Sequence, residues 1–437
     1  MIALRSLTLP AFALVAASFA LPASAAVDIE RVVSPGGLEA WLVREDTLPM
    51  IAVSFAFRGG AAQDPAGTPG VANMLSGLLD EGAGDLDSQA FQARLDDYSI
   101  SLSFNASRDA FSGRLRTLTE NRDEAFRLLG LALTSPRFEA EPVDRVRAQI
   151  VSGIRSRERD PDSIAGKAWL EAAFPGHPYG QPDNGTLDSV AAIGAEDLRA
   201  YRANVFARAN LKIGVVGDID AATLGRLLDE TFGKLPAEPR LAPVPDVVPA
   251  AGTRIDIDMA IPQTVIRFGG NGLRRDDPDF LAAYIANHIL GGGSFSSRLY
   301  DEVREKRGLA YSVGTYLAPF EHGAIFAGGT ATRADRAEES IALIESEMRR
   351  FAAEGPTEEE VAKAKSYLIG NYPLRFDSSV EIAGQLLAIQ LDDLGIDYVN
   401  RRNDLIRAIT AEDVRRAAAR LFGSGELIVT RVGQPAT

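Results

Sequence analysis

The chain has 437 residues, of which 46% are hydrophobic and 24% charged, a composition typical of a globular protein rather than a disordered or fibrous one. Its 60 acidic and 46 basic residues give a net charge of −14, which argues against nucleic acid or an anionic membrane as the main partner. The chain has no cysteine, which excludes disulfides, thiolate metal sites and cysteine nucleophiles. At about 100–200 residues per domain, the length predicts two or three domains.

The first 25 residues differ from the rest of the chain. Arg5 supplies a positive start, residues 7–21 form an apolar stretch, and Ala23-Ser24-Ala25 fits an A-x-A cleavage pattern. We interpret residues 1–25 as a secretory signal peptide, removed after Ala25. An uncleaved membrane anchor is the alternative, but the apolar run is short for a span of about 20 residues. We therefore expect a periplasmic protein without a stable membrane anchor.

The sequence of the first half predicts both strands and helices, in a mixed order. Apolar patterning predicts strands at 39–43, 50–57, 99–106, 110–117 and 210–216. Helical spacing predicts helices at 68–79, 122–134, 141–157, 164–174 and 196–205. In the first of these helices, Thr68 is the expected N-cap and Pro69 the expected first-turn residue.

Short patches of this half recur in the second half at a nearly constant spacing. The repeated patches are residues 192–198 at 408–414, Val216-Gly217 at Val432-Gly433, Arg137-Phe138 at Arg350-Phe351, and Asp64-Pro65 at Asp277-Pro278. The second half also predicts strands at 254–258, 264–269 and 427–432, and a helix at 278–290. We therefore expect two copies of one α+β fold, each about 200 residues long, with mostly antiparallel sheets packed by helices. The expected domains are 26–235 and 253–437, joined by a proline-rich linker at 236–252.

The residue types alone reveal no catalytic constellation. The three histidines, His177, His288 and His322, are far apart in sequence, and no two have the i, i+4 spacing of zinc ligands on one helix. We expect His288 in the core, on an apolar helix face, and His177 in a structural role in a turn-rich loop. Nucleophile-elbow, dinucleotide and Walker A patterns are also missing from the sequence.

The segment from Ser296 to Tyr316 has the densest pattern of charged and aromatic residues. Its acidic and basic side chains can pair along a solvated helix face, and Arg298 is expected as a charge on that surface. Gly308 is expected to end the helix, and Tyr311 to begin a strand.

Residues 297–313, Ser-Arg-Leu-Tyr-Asp-Glu-Val-Arg-Glu-Lys-Arg-Gly-Leu-Ala-Tyr-Ser-Val, resemble the second-half signature of the pitrilysin/insulinase-like zinc peptidases. The similarity is greatest to the branch that contains mitochondrial processing peptidase and its bacterial relatives. The loop at 174–186 and the strand end at Asn105 and Ala106 are also similar to that family. The resemblance covers the whole chain after residue 25 and implies two homologous domains joined into a clamshell, with Asn105 and Ala106 binding substrate.

The zinc motif departs from the family pattern. Asn73, Ser76 and Gly77 stand where active members have His-x-x-Glu-His, and Gly153 stands where they have a third ligand, Glu. Asparagine is a poor zinc ligand, glycine has no side chain, and no glutamate remains to activate water. The resemblance therefore implies a degenerate site with no cofactor in this chain.

The resemblance also implies that Arg304 and Tyr311 reach a shared active site, where their donors stabilise an oxyanion. We expect a non-catalytic, substrate-binding subunit of a heterodimeric periplasmic zinc metallopeptidase, without zinc-peptidase activity alone. Its expected partner is a homologous catalytic subunit with His-x-x-Glu-His and zinc, and its substrates are extended peptides. The alternative is a non-enzymatic scaffold or peptide-binding protein. Peptidase activity of this chain by another mechanism is the least favoured hypothesis.

Overall fold

A computed structural model describes residues 28–434, so the predicted signal peptide lies outside the described residues. The first-half strands are β1 (Glu30–Val33), β2 (Glu39–Arg44), β3 (Met50–Arg58), β4 (Ser101–Ala106), β5 (Ala110–Leu118) and β6 (Leu211–Gly217). The first-half helices are α1 (Val71–Ser76), α2 (Ser88–Asp97), α3 (Arg122–Thr134), α4 (Ala140–Arg157), α5 (Pro161–Ala173), α6 (Leu187–Ala192), α7 (Ala195–Val205) and α8 (Ala221–Phe232).

The second half repeats this order of elements. Its strands are β7 (Arg254–Asp258), β8 (Gln263–Asn271), β9 (Ala310–Pro319), β10 (Ala324–Arg333) and β11 (Ile428–Gly433). Its helices are α9 (Phe280–Asn287), α10 (Arg298–Tyr300), α11 (Ala337–Glu354), α12 (Glu358–Gly370), α13 (Ser379–Leu391), α14 (Tyr398–Ala408) and α15 (Ala411–Phe422). Two π-helical turns, His288–Gly292 and Asp301–Glu305, directly follow α9 and α10.

The two sheets have the same strand order. It is β2-β6-β3-β5-β4 in the first and β7-β11-β8-β10-β9 in the second, with β1 added beside β2. In each sheet the last strand of the half is inserted in the interior, parallel to one neighbour and antiparallel to the other. All other pairs are antiparallel. The predicted α+β fold of two homologous, mostly antiparallel domains is confirmed.

Each half has its own aromatic core between sheet and helices. In the first half, Phe57 stacks on Phe206 with ring centroids 4.5 Å apart. In the second, Phe326 packs edge-on against Phe422 at 4.9 Å. All four side chains are almost fully buried, and each such burial contributes about 1.5–3 kcal/mol. The two sheets are therefore stabilised separately.

One helix of each half packs on the sheet of the other half. Helix α5 lies against β8 and β11, where the indole N–H of Trp169 donates to the Ile428 carbonyl at 3.0 Å. Helix α13 lies against β3 and β6, where the Gln390 side chain donates to the Ile213 carbonyl at 2.9 Å. Gly214 permits this approach, because a Cβ there would lie 2.6 Å from a carbonyl oxygen of α13. The reciprocal exchange of α5 and α13 joins the halves.

The proline-rich segment 236–252 contains no helix or strand and is bound along the junction of the halves. The amide of Val247 donates to the His322 carbonyl at 2.8 Å. Nε2 of the buried His177 lies 3.0 Å from the Pro245 carbonyl oxygen, and its Nδ1 accepts the Tyr179 amide at 3.1 Å. His177 therefore has the structural role expected of it.

Helix α1 is shorter than predicted, and its predicted N-cap is wrong. The helix begins after Gly70, whose φ of 100° is left-handed. The carboxylate of Asp64 accepts the amides of Gly70 at 2.7 Å and Ala72 at 2.8 Å, so Asp64 rather than Thr68 caps the helix. Periodicity could not identify this cap, because it comes from the preceding loop and not from the adjacent residue.

Candidate functional site

The degenerate zinc positions lie on two packed helices, α1 and α4. The Ser76 hydroxyl donates to the Asn73 carbonyl at 2.7 Å, within its own helix. Gly77 ends α1, and a Cβ there would lie 3.2 Å from the Val146 side chain on α4. Gly153 lies on α4, where a Cβ would contact the guanidinium of Arg157 at 3.5 Å. These positions therefore offer neither an imidazole nor a carboxylate to a metal.

The carboxylates that follow α1 do not replace the missing ligands. Glu81 pairs with Arg145 of α4 at 2.6 Å and accepts the Ser88 hydroxyl. The Arg145 guanidinium holds the pKa of Glu81 below its ordinary value. Asp80 accepts the side-chain amide of Gln92. Across residues 28–434, no group of three or more histidines and acids is arranged to hold a metal ion, so the side chains present do not fit a zinc site.

Arg304 and Tyr311 meet at the outer edge of the second sheet. Arg304 lies on the π-helical turn, and Tyr311 lies near the start of β9. The guanidinium carbon is 4.7 Å from the centroid of the Tyr311 ring and 4.9 Å from that of the Tyr300 ring, which is cation–π geometry. Tyr311 is 81% exposed. The Glu305 carboxylate, 3.7 Å away, is too distant for a hydrogen bond.

Arg298 anchors the segment that carries this pair, so its assignment as a surface charge is wrong. Its Nε and Nη2 bind the two carboxylate oxygens of Glu360 on α12 at 2.6 and 2.7 Å. The guanidinium also lies 4.6 Å from the centroid of the buried Phe351 ring. The Arg298 side chain is only 16% exposed. Sequence patterning could not show this contact, because Glu360 is 62 residues further along the chain.

Asn105 and Ala106 lie at the end of β4, the outer strand of the first sheet. They pair with β5 on one side, Asn105 opposite Ser112 and Ala106 opposite Phe111. The Asn105 side chain is exposed. Within residues 28–434, no strand pairs with the other side of β4 or with the outer side of β9 in the second sheet. Open edges of this kind can pair with an added strand.

The tips of the two outer hairpins meet at the junction of the halves. Asp109, in the turn between β4 and β5, accepts the Tyr179 hydroxyl at 2.6 Å and the Glu321 amide at 3.0 Å. The Tyr179 hydroxyl accepts the His322 amide at 2.9 Å. Burial raises the pKa of Tyr179, so this hydroxyl keeps its proton. The contact joins the edge of one sheet to the edge of the other.

Three cavities of about 700, 340 and 280 Å³ lie beside this contact, and Arg108 lines all of them. The largest of the three is lined by Ile154, which follows Gly153 on α4, and by residues of α5. The smallest lies between Trp169 of α5 and Tyr316 of β9. The two larger cavities have volumes within the roughly 300–1,000 Å³ of typical ligand sites. Arg108 is not among the residues predicted from the sequence, although the Asn-Ala strand end, which begins three residues before it, is the signal that locates it.

The comparisons with known proteins agree with this geometry. Residues 192–368 match the family described as the peptidase M16 inactive domain. The chain is 28% identical to a solved peptidase M16 inactive domain from Pseudomonas fluorescens, with a TM-score of 0.87 and coverage of 93% of this chain and 98% of that one. The chain is therefore similar to members of the M16 peptidase family over most of its length, and the family model itself matches residues 192–368.

The curated relatives of this chain have two kinds of name. A protein of Helicobacter pylori, 29% identical over 75% of this chain and 76% of its own length, is named a non-peptidase homolog. A Streptomyces coelicolor protein, 27% identical over 90% of this chain and 87% of its own length, is named an uncharacterized zinc protease. The inactive-domain match and the non-peptidase homolog support a non-catalytic role for this chain.

Within residues 28–434, no helix combines the length and the apolar character needed to cross a membrane.

Proposed function

We propose that this chain is the non-catalytic, substrate-binding subunit of a periplasmic two-subunit zinc peptidase. A homologous partner with His-x-x-Glu-His supplies the zinc and the base, and this chain supplies Arg304 and Tyr311 to a shared cleft. One observation carries the proposal. The half-buried Arg304 and the exposed Tyr311 form a pair beside an anchored turn, in a chain whose own zinc positions have lost their ligands.

The chemistry of the pair suits a peptide carbonyl. A guanidinium and a phenol are both hydrogen-bond donors, and donors aimed at a developing oxyanion stabilise the transition state. The outer edge of β9 begins beside Tyr311, so an extended peptide added to this edge has its backbone near both groups. The net charge of −14 favours basic peptide segments.

A second candidate is a peptide-binding protein or scaffold without a catalytic partner. It is favoured by the cavities around Arg108, which are formed by this chain alone. It leaves the Arg304–Tyr311 contact unexplained, because a scaffold has no need of an oxyanion donor.

Reconstitution with a His-x-x-Glu-His homologue from the same cells tests the first candidate. With a fluorogenic peptide, Arg304→Ala or Tyr311→Phe should lower kcat by about 10²-fold, the typical cost of one oxyanion donor. The zinc content of the pair should not change. The control is Arg333→Ala, which removes an exposed arginine at the end of β10 and should retain full turnover. Wild-type turnover in both test variants would exclude the donor role.

A further inference from the structure

A separate polar cavity of about 170 Å³ lies in the second half, between the π-helical turn after α9, helix α12 and helix α14. It shares no lining residue with the three cavities at the junction. Its volume is well above the roughly 10–15 Å³ that one water requires, so it admits a ligand of several heavy atoms. The lining residues that matter for its chemistry are His288, Tyr367, Asn371, Tyr372, Arg375 and Arg402.

Two arginines face this cavity, and none of its lining residues is acidic. Arg402 is only 6% exposed, and its Nη1 donates to the Leu368 carbonyl at 2.8 Å and the Asn403 side chain at 3.1 Å. Arg375 is exposed and lies at the mouth. Burial lowers the pKa of Arg402, and the like charge of Arg375 acts in the same direction. Buried arginines are normally paired with an acidic group. The positive charge of this cavity therefore favours an anionic ligand.

The same wall contains a buried hydroxyl that has no partner in the described part of the chain. Tyr372 is 7% exposed, and its hydroxyl makes no hydrogen bond to any described residue. The Arg402 guanidinium carbon lies 4.3 Å from the centroid of its ring. Burial raises the pKa of Tyr372 to about 12, so the hydroxyl is a donor at neutral pH. A buried donor without a hydrogen-bond acceptor is unfavourable, and a ligand that accepts its hydrogen bond removes this cost.

The remaining polar groups also supply donors. The His288 ring stacks on Tyr367 with centroids 5.0 Å apart. Burial lowers the pKa of His288, which leaves a neutral ring with one N–H at pH 7. Asn371 donates to the Tyr367 hydroxyl at 3.4 Å. The cavity therefore combines two cations with neutral donors and has no competing carboxylate.

We infer that this cavity binds a phosphate group, as free phosphate or as a phosphate monoester, through Arg402, Arg375 and the Tyr372 hydroxyl. Guanidinium groups suit phosphate because their planar fork donates two parallel hydrogen bonds. The exposed position of Arg375 leaves the mouth open to the ester group of a larger molecule. This site is independent of the proposed peptidase role, since it uses none of the residues of that cleft.

Isothermal titration calorimetry of the purified protein in phosphate-free, low-salt buffer tests the inference with two probes, inorganic phosphate and glycerol 3-phosphate. Saturable one-site binding is expected. Tyr372→Phe and Arg375→Ala should each raise Kd about tenfold or more. Since the Tyr372 hydroxyl has no hydrogen-bond partner within residues 28–434, Tyr372→Phe should melt no lower than the wild type without phosphate. Arg44→Ala, which removes an exposed arginine of the first half, is the control and should bind like the wild type.

The probe with the lower Kd shows whether the site prefers the free anion or the ester. Three results would overturn the inference. They are no saturable heat with either probe at millimolar concentration, wild-type affinity in both cavity variants, and acetate binding as tight as phosphate.

Discussion

Replacing Arg298 with alanine should destabilise the protein by about 2–3 kcal/mol. Breaking a fully buried ion pair costs about 3–5 kcal/mol, whereas an exposed pair contributes about 0–1 kcal/mol. The Arg298 and Glu360 side chains are 16% and 29% exposed and are joined by two short hydrogen bonds. The expected cost lies between these limits and nearer the buried one. It includes the loss of the guanidinium from the Phe351 ring.

The same ion pair makes the stability sensitive to acid. Burial alone would raise the pKa of Glu360, but the Arg298 guanidinium and the Thr357 amide lower it from 4.5 to about 2. Because the folded carboxyl binds a proton less tightly than the unfolded one, its stabilising contribution is complete above pH 4.5. The contribution is lost as the pH falls toward 2. In Arg298→Ala this acid-sensitive component should largely disappear.

Urea unfolding followed by circular dichroism at neutral and at acidic pH measures both effects. Arg298→Lys keeps the charge but loses the second hydrogen bond, so its unfolding free energy should be intermediate. The control is Arg333→Ala, which breaks an exposed pair and should change stability by less than about 0.5 kcal/mol. If Arg298→Ala and Arg333→Ala unfold alike at both pH values, Arg298 does not anchor the segment.

Three further predictions concern the helix cap and the exchanged helices, and urea unfolding measures each. Burial raises the pKa of Asp64 from 3.8 to about 7, so the folded state binds this proton more tightly. Stability should fall with rising pH across that window, by up to about 1.4 kcal/mol per pH unit. Asp64→Asn should flatten this slope, and an unchanged slope would contradict the assignment. Gly214→Ala places a Cβ 2.6 Å from a carbonyl oxygen and should cost about 1–3 kcal/mol. Gly384→Ala, on α13 with open space around it, should not destabilise, and equal losses in the two would refute the packing argument. Trp169→Phe removes the indole donor from a buried carbonyl and should cost about 1–3 kcal/mol, whereas wild-type stability would mean the bond contributes nothing.

The duplication could be predicted because short stretches of sequence from the first half recur in the second half at a nearly constant spacing. Val216-Gly217 and Val432-Gly433 end β6 and β11, which hold the same position in their sheets. The contacts that position the candidate site could not be predicted in this way. The exchange of α5 and α13 and the Arg298–Glu360 pair join residues distant in sequence, about which local patterning carries no information. The cap by Asp64 is closer in sequence, but it comes from a loop residue six positions before Gly70, where helical periodicity does not extend. The family resemblance singled out Arg304 and Tyr311, and their contact with a substrate stays a prediction.

The most direct test of the account is affinity purification of the tagged chain from the periplasm of its own cells, followed by mass spectrometry and zinc analysis. The account predicts a stoichiometric homologous subunit with His-x-x-Glu-His, and a recovered pair that contains zinc and cleaves peptides. Recovery of this chain alone, as a monomer or a homodimer, would contradict the two-subunit peptidase and favour the peptide-binding or scaffold role.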